Sequence, residues 1–198
     1  MITIANFGVG NLASIANMLN FLEIDVEVLD SPRDVEGITH LIIPGVGAFD
    51  TGMELLKKTG WQSAIQDLSP KTNILGICLG MHLLTNGSDE GSLEGLGLID
   101  AWSHKFDADH VRIPHMGWNL VNVHRLNPLV VMDQEEKRYY FSHSYFVKLQ
   151  DLSEELGATQ YQEGFTSIFQ RNNIFGCQFH PEKSHRFGME LLKNFAAI

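Results

Sequence analysis

Cys78 is the residue of this chain whose surroundings most favour chemistry. It lies in Gly76-Ile77-Cys78-Leu79-Gly80, where an apolar strand pattern ends and a helical pattern begins. Small neighbours allow the strained turn that projects a nucleophile above a sheet. The start of the following helix favours a thiolate and offers backbone N–H groups to a developing oxyanion. The alternative, a small buried core residue, stays open for a cysteine considered alone. Cys177, inside an apolar pattern, is expected to be buried and inert.

A base and a carboxylate stand close together near the end of the chain, in Gln178-Phe179-His180-Pro181-Glu182. Residues two apart in an extended segment point to the same side, so the imidazole of His180 and the carboxylate of Glu182 can pair. Taken alone, this stretch also fits a solvated surface turn. Together with the glycine-framed cysteine, it indicates a nucleophilic triad of Cys78, His180 and Glu182 assembled by the fold.

A third candidate is the turn Pro44-Gly45-Val46-Gly47, which follows another apolar run. Ligand sites in open α/β sheets lie at the carboxyl ends of strands, and glycines let a backbone N–H turn toward a substrate oxygen. A glycine-rich turn by itself is more often purely structural. The nine histidines show no metal-ligand spacing, so we expect no metal site.

Alternating strands and helices must position these groups. In the first half, strand patterns at 2–5, 26–29, 41–43 and 73–77 alternate with helical patterns at 11–22, 51–58 and 61–67, with Asn11 as a helix cap. This order predicts a mostly parallel central sheet with helices on both faces. In the second half, strand patterns at 120–123, 139–147, 165–170 and 174–179 predict antiparallel or mixed additions to the sheet, before a closing helix at 187–195.

Length and composition limit the function classes. The length of 198 residues predicts a single domain that spans residues 1–198. The composition, with 44% apolar and 19% charged residues, is typical of a globular protein. The formal charge of -10 disfavours nucleic-acid binding. We find no signal-peptide pattern after Met1, no apolar run long enough to span a membrane, and too few cysteines for a disulfide framework. We therefore expect a cytoplasmic protein with reduced thiols that binds no membrane.

The motifs around Cys78, His180 and Pro44 together resemble the class I, or triad, glutamine amidotransferases. Pro114-His115-Met116-Gly117-Trp118-Asn119 and His143-Ser144-Tyr145 further resemble the glutaminase subunits of imidazole glycerol phosphate synthases, and the similarity runs from Ile4 to Phe195. The resemblance implies a flavodoxin-like α/β fold. It also implies hydrolysis of glutamine to glutamate and ammonia through a cysteine thioester, with no cofactor.

The resemblance further implies a role for individual residues. Cys78 would be the nucleophile, His180 the acid and base, and Glu182 the group that orients His180. The oxyanion would be held by the backbone of Leu79, Gly45, Val46 and Gly47. Substrate glutamine would be bound by His82, His143, Ser144 and Tyr145. Residues near a partner interface would be Asn11, Tyr140 and Lys183.

The partner that the resemblance implies is a cyclase subunit, a (β/α)8 barrel that receives the ammonia. It would make imidazole glycerol phosphate and an aminoimidazole carboxamide ribotide in histidine biosynthesis. One departure is His82, which replaces the family's glutamine four residues after the nucleophile. The segment 183–188 also resembles paralogues that supply ammonia to a nucleotide-sugar amidotransferase of surface-polysaccharide synthesis. A catalytically silent partner-binding module is the third hypothesis.

Overall fold

Four short apolar strands form one half of a central sheet. The computed structural model describes residues 1–32, 35–133, 135–161 and 164–198. Strands β1 (Ile2–Ala5), β2 (Val26–Leu29), β3 (His40–Ile43) and β4 (Asn73–Ile77) pair in parallel, in the order β2-β1-β3-β4. Every residue of β1 is buried, as expected for a strand covered on both faces.

Helices cover both faces of this sheet. They are α1 (Leu12–Phe21), α2 (Phe49–Thr59), α3 (Trp61–Leu68), α4 (Leu79–Leu83) and α5 (His185–Ala196). Side chains alternate along β3, so that Ile42 joins a core with α1 and α5, whereas Leu41 joins a second core with α2 and α3. The predicted layering is therefore confirmed.

The second half continues the same sheet with strands that are mainly antiparallel. These are β7 (His115–Val123), β8 (Lys137–His143), β10 (Glu155–Gln160), β11 (Gly164–Arg171) and β12 (Ile174–Cys177). The nine-stranded order is β2-β1-β3-β4-β12-β11-β10-β7-β8. Only β12 among these later strands pairs in parallel, and its partner is β4. That pairing brings the ends of the two strands that carry Cys78 and His180 side by side.

The prediction of one strand over 139–147 was wrong. The chain turns at Ser144, where His143 Nδ1 donates to the Tyr145 carbonyl oxygen at 2.7 Å, and continues as β9 (Tyr145–Leu149). Strand β9 belongs to a second, three-stranded sheet with β5 (Gly87–Ser88) and β6 (Ala101–Lys105). The turn therefore places 143–145 between the two sheets.

The predicted N-cap position of the first helix is confirmed. Asn11 occupies the N-cap position of α1, but its side chain forms no capping hydrogen bond. The backbone of Asn11 has φ −93° and ψ 62°, outside the extended conformation that a capping side chain needs. Among the helices of the described residues, none is long and apolar enough to cross a membrane.

Candidate active site

Cys78 lies in a strained turn between β4 and α4. Its backbone has φ 53° and ψ −111°, a conformation that is costly for a residue with a side chain. The two flanking glycines are required by close packing. A methyl group on Gly76 would lie 2.6 Å from the carbonyl oxygen of Gly80, and one on Gly80 would lie 1.9 Å from that of Ile43. The strain at Cys78 is thus held in place by the surrounding sheet.

Backbone hydrogen bonds attach Cys78 and His180 to neighbouring strands. The N–H of Cys78 donates to the carbonyl oxygen of Cys177, the last residue of β12, at 2.8 Å. The N–H of His180 donates to the Tyr140 carbonyl oxygen at 2.9 Å, and Ser184 Oγ donates to the His180 carbonyl oxygen at 2.6 Å. His180 is therefore fixed from β8 and from the turn before α5.

His180, Glu182 and Cys78 form a buried charged group. His180 Nδ1 lies 3.0 Å from Glu182 Oε1, and the two side chains are 3% and 1% exposed. Burial disfavours the imidazolium, but hydrogen bonds to Cys78 and Glu182 outweigh it and raise the pKa of His180 to about 10. At neutral pH, His180 is thus protonated and beside Cys78.

These groups open on a cavity of about 390 Å³ at the carboxyl ends of β3, β4 and β12. Cys78, Leu79 and His180 line one side of the cavity, and 143–145 lines another. Val46 and Gly47 complete the cavity from the turn after β3. The three motifs that the sequence analysis singled out therefore meet at one edge of the sheet.

The glycine turn after β3 packs on the start of α4. A methyl group on Gly45 would lie 2.8 Å from Leu79 Cβ and 2.9 Å from the backbone nitrogen of Gly80. The N–H of Leu79 lies in the first turn of α4, where backbone donors have no partner within the helix. Gly47 has φ 111°, and a methyl group there would meet nothing within 4 Å. The turn is therefore open beside Gly47 and closely packed at Gly45.

Two neutral histidines, His82 and His143, form a second group of residues that line the cavity. Burial lowers the pKa of His82 to about 4 and lowers the pKa of His143 well below its usual value. His143 Nδ1 donates to the Tyr145 carbonyl oxygen, and its Nε2 accepts from His115 Nδ1 at 2.9 Å. Ser144 and Tyr145, which follow His143, also line the cavity.

Glu90 is a cavity residue that the sequence analysis missed. Its Oε2 accepts a hydrogen bond from the N–H of Phe49 at 2.9 Å, and burial raises its pKa. A carboxylate inside the cavity is chemically suited to an ammonium group. Asp89-Glu90-Gly91 belongs to no motif, and only the polar stretch after β5 could have drawn attention to it.

The residues expected near a partner lie at the mouth of the cavity or behind the glycine turn. Lys183 is exposed, lines the cavity and places Nζ 5.6 Å from the centre of the Tyr140 ring. Asn11 follows Gly10, where a methyl group would lie 2.9 Å from Pro44 Cβ. The chain before Asn11 thus contacts the glycine turn directly.

Comparisons with known proteins agree with this geometry. The family model "Glutamine amidotransferase class-I" matches residues 3–198. A Methanococcus maripaludis protein named imidazole glycerol phosphate synthase subunit HisH 2 is 47% identical over 98% of this chain and 98% of its own length. A Pseudomonas aeruginosa protein of the same name is 42% identical, and Leptospira interrogans subunit HisH is 39% identical, each over the full length of both chains.

Solved structures show the same fold at low sequence identity. A glutamine amidotransferase crystal structure superposes with a TM-score of 0.78 at 17% identity, covering 100% of both chains. The structure of PurLQS from Thermotoga maritima gives a TM-score of 0.78 at 14% identity, covering 99% of this chain and 97% of the other. The flavodoxin-like α/β fold expected from the sequence is confirmed.

Proposed function

Because this chain belongs to the class-I glutamine amidotransferases, we propose that it hydrolyses glutamine and delivers the ammonia as the glutaminase subunit of an imidazole glycerol phosphate synthase. The observation that carries the chemistry is the strained Cys78 beside the His180–Glu182 pair. The names of the similar proteins support imidazole glycerol phosphate synthase as the enzyme to which this subunit belongs. The reaction needs a reduced thiol at Cys78, and thiols stay reduced in the cytoplasm, so we propose a cytoplasmic location.

Cys78 begins the reaction as a thiolate. Its sulfur bonds to the carboxamide carbon of glutamine, and the carbonyl electron pair moves to oxygen. When this oxyanion collapses, the C–N bond breaks, and the nitrogen leaves as ammonia with a proton from His180. The high pKa of His180, about 10, keeps that proton available at neutral pH. The product on the protein is a γ-glutamyl thioester.

Water then releases glutamate. Neutral His180 takes a proton from water while the water oxygen bonds to the thioester carbon. Collapse of the second oxyanion breaks the C–S bond, which frees glutamate and restores the thiolate beside a protonated His180. Glu182 holds Nδ1 of His180 in both halves of the reaction, so that the other ring nitrogen serves Cys78 and the substrate.

The oxyanion is stabilised by backbone N–H groups of Leu79 and of the turn 45–47. Both segments contact each other and line the cavity beside Cys78. A donor is effective only when it points to where charge develops. Since Gly47 lies in open space at positive φ, the Val46 peptide can rest turned away and reorient at small cost.

Glutamine binding is assigned to the other side of the cavity. The carboxylate of Glu90 takes the α-ammonium group of glutamine, because it is a carboxylate that faces this cavity. His143, Ser144 and Tyr145 line the binding groove along the substrate. The assignment of His82 to direct substrate contact stays a prediction, and its Nε2 is already bonded to Gln178.

The acceptor of ammonia is proposed to be a barrel-shaped cyclase subunit that docks over the cavity mouth at Asn11, Tyr140 and Lys183. Lys183 and Tyr140 are in mutual contact there, and Asn11 adjoins the glycine turn. Ammonia in neutral water is mostly protonated and non-nucleophilic, which gives direct transfer a chemical advantage. The arrangement also lets docking reorient the Val46 peptide.

Steady-state glutaminase rates test this function. They are measured with the chain alone, with the cyclase subunit, and with the cyclase subunit and its nucleotide ligand. Restoring one oxyanion donor corresponds to about 10²–10³ in kcat, so we expect activation of at least that order with the loaded partner. Equal rates in all three conditions contradict activation of the glutaminase by partner docking. Absence of glutamine hydrolysis in all three favours a catalytically silent binding module.

The surface-polysaccharide paralogue is the second candidate. Two of the relatives described above carry the number 2 in their names, and 183–188 resembles those paralogues. Stimulation by a nucleotide-sugar amidotransferase and its barrel partner, with none by the histidine cyclase, would select this candidate. The glutaminase chemistry at Cys78 would be the same.

A further inference from the structure

His82 and Gln178 form a buried pair behind Cys78. His82 Nε2 lies 2.8 Å from Gln178 Oε1, and Gln178 Nε2 lies 4.0 Å from Cys78 Sγ. The two side chains come from different elements, α4 and the segment after β12. Gln178 has no exposed surface, and its backbone N–H donates to the Ser167 carbonyl oxygen at 2.9 Å. The side-chain amide of Gln178 thus contacts His82 through its oxygen and faces the sulfur of Cys78 with its NH2 group.

The direction of this chain of contacts follows from donor chemistry. A carboxamide oxygen can only accept, so the contact at 2.8 Å requires a proton on His82 Nε2. Since burial lowers the pKa of His82 to about 4, the neutral ring carries one N–H, and that N–H is given to Gln178. The reverse amide orientation would place the Gln178 oxygen against the sulfur of Cys78. Two electron-rich atoms would then face each other.

The amide NH2 of Gln178 faces an atom that bears negative charge twice in the proposed reaction. Cys78 Sγ is a thiolate before attack and again when glutamate leaves. Hydrogen bonds to ionised groups are stronger than those between neutral groups. The 4.0 Å separation is long, and such contacts commonly tighten only when substrate is bound.

We propose that His82 is a positioning residue that holds the Gln178 amide with its NH2 group toward Cys78, so that Gln178 stabilises the thiolate. His82 therefore acts on the sulfur through Gln178 rather than on substrate glutamine. The inference deepens the proposed glutaminase function and rests on it for the catalytic meaning of the thiolate. The contacts themselves do not depend on the reaction.

Alkylation of Cys78 by iodoacetamide, followed by mass spectrometry from about pH 5 to about pH 9, measures thiolate formation without turnover. The full-length chain is compared with His82→Phe and Gln178→Leu. Loss of one hydrogen bond to an ionised group corresponds to about one pH unit, so each variant should raise the midpoint of the alkylation profile by about that amount. Cys177 is fully buried and does not interfere.

The double variant decides whether His82 acts through Gln178. We expect the midpoint of the double variant to equal that of Gln178→Leu alone, because His82 then has no amide to orient. Additive shifts, or an unchanged midpoint in His82→Phe, overturn the inference. If His82→Phe does not fold, Gln178→Leu still tests it, and an unchanged midpoint there also overturns it.

Other titratable groups in the cavity are kept constant in this comparison: Glu90, His143, Tyr145, His180 and Lys183. Glu182 is likewise retained beside His180. His110→Phe is the matched control, because His110 is an exposed histidine that contacts Asp107, and its profile should not move. Circular dichroism verifies that each variant is folded.

Glutamine kinetics separate this inference from the alternative and from the proposed function. A raised KM with an unchanged alkylation midpoint in His82→Phe assigns His82 to substrate contact and overturns the positioning role. Shifted midpoints in a chain that never hydrolyses glutamine would remove the proposed function while leaving the His82–Gln178–Cys78 contacts as inferred.

Discussion

Two sides of one cavity hold their histidines in opposite protonation states. His180 is 2% exposed, and His82 and His143 are 4% and 7% exposed, so burial is nearly equal. The pKa of His180 is nevertheless raised to about 10, whereas that of His82 is lowered to about 4. His180 contacts Cys78 and Glu182, while the other two histidines contact neutral carbonyl and imidazole groups. Partner charge, and not depth, decides the charge of a buried imidazole.

The two sides of the cavity have different roles in the proposed reaction. The β12 side, which we define as Cys78, His180 and Glu182, carries a mobile proton and the proposed nucleophile, which the bond-breaking steps need. The segment 143–145 carries fixed, uncharged hydrogen bonds, which suit the orientation of a polar substrate. Variants on the β12 side should therefore act mainly on kcat, and variants at His143 should act mainly on KM.

The largest effect is expected on removal of the nucleophile. Cys78→Ala deletes the sulfur that forms the thioester, and we expect glutamine-dependent kcat to fall by about 10⁴-fold or more. Ammonium salts should still drive the partner subunit, because free ammonia bypasses the thioester. The measurement is glutamate release beside ammonium-driven product formation. Glutaminase activity that survives in Cys78→Ala contradicts the assignment of the nucleophile.

The next largest effect tests the charge on the β12 side. Glu182→Gln keeps the shape but removes the carboxylate that stabilises protonated His180, so kcat should fall by roughly 10²–10⁴. The Glu182 carboxylate helps to raise the pKa of His180 to about 10, so removing that carboxylate should lower the pKa of His180. The alkaline limb of the kcat profile should move to lower pH. A limb that stays in place contradicts the pairing of His180 with Glu182 as the source of the shift.

Much of the β12 side could be predicted from the sequence. Gly76 and Gly80 each lie two residues from Cys78, and Glu182 lies two residues from His180, so local patterns predicted both the strained turn and the pair. Strand and helix alternation predicted the parallel part of the sheet that contains β4. The parallel pairing of β12 with β4, which brings these segments together, was not specified by the pattern at 174–179.

The opposite side depends on contacts that no local pattern contains. Glu90 follows a two-residue strand, and His115 contacts His143 between β7 and β8, 28 positions apart in the chain. The turn at Ser144 divides what reads as one strand, because the switch between sheets is a tertiary feature. Gln178 was visible in the sequence, but its contact with His82 spans 96 positions. Such pairs follow only from the assembled sheet.

The stability of the protein should also depend on pH through its neutral histidines. His82 and His115 have folded-state pKa values of about 4, below the unfolded value near 6.5. Below pH 6.5 the unfolded chain gains protons that the folded chain does not, so the free energy of unfolding falls as pH falls. The loss between pH 6.5 and pH 5 should be about 2 kcal/mol for each histidine. His180, whose folded-state pKa is raised to about 10, opposes this loss by a small amount, because at pH 6.5 its folded form is fully protonated and its unfolded form only half protonated.

Denaturant unfolding at these two pH values measures the loss. His82→Gln removes one titrating group, so the difference between pH 6.5 and pH 5 should shrink by about 2 kcal/mol. His110→Asn is the control, because His110 is exposed and should leave the difference unchanged. An undiminished loss in His82→Gln would mean that His82 is not held neutral by the fold.

The smallest effect is expected at His143. In His143→Asn, the shorter amide can donate to the Tyr145 carbonyl oxygen but cannot also accept from His115 Nδ1 in the same geometry. One hydrogen bond is lost beside the proposed substrate groove, which corresponds to about a 3- to 10-fold rise in the KM for glutamine. The kcat profile should keep its alkaline limb, since His180 and Glu182 are untouched. His104→Asn, at an exposed histidine that contacts Asp89 outside the cavity, serves as the matched variant and should leave KM unchanged. A fall in kcat with unchanged KM in His143→Asn would place His143 with the proton-transfer groups and remove the division between the two sides.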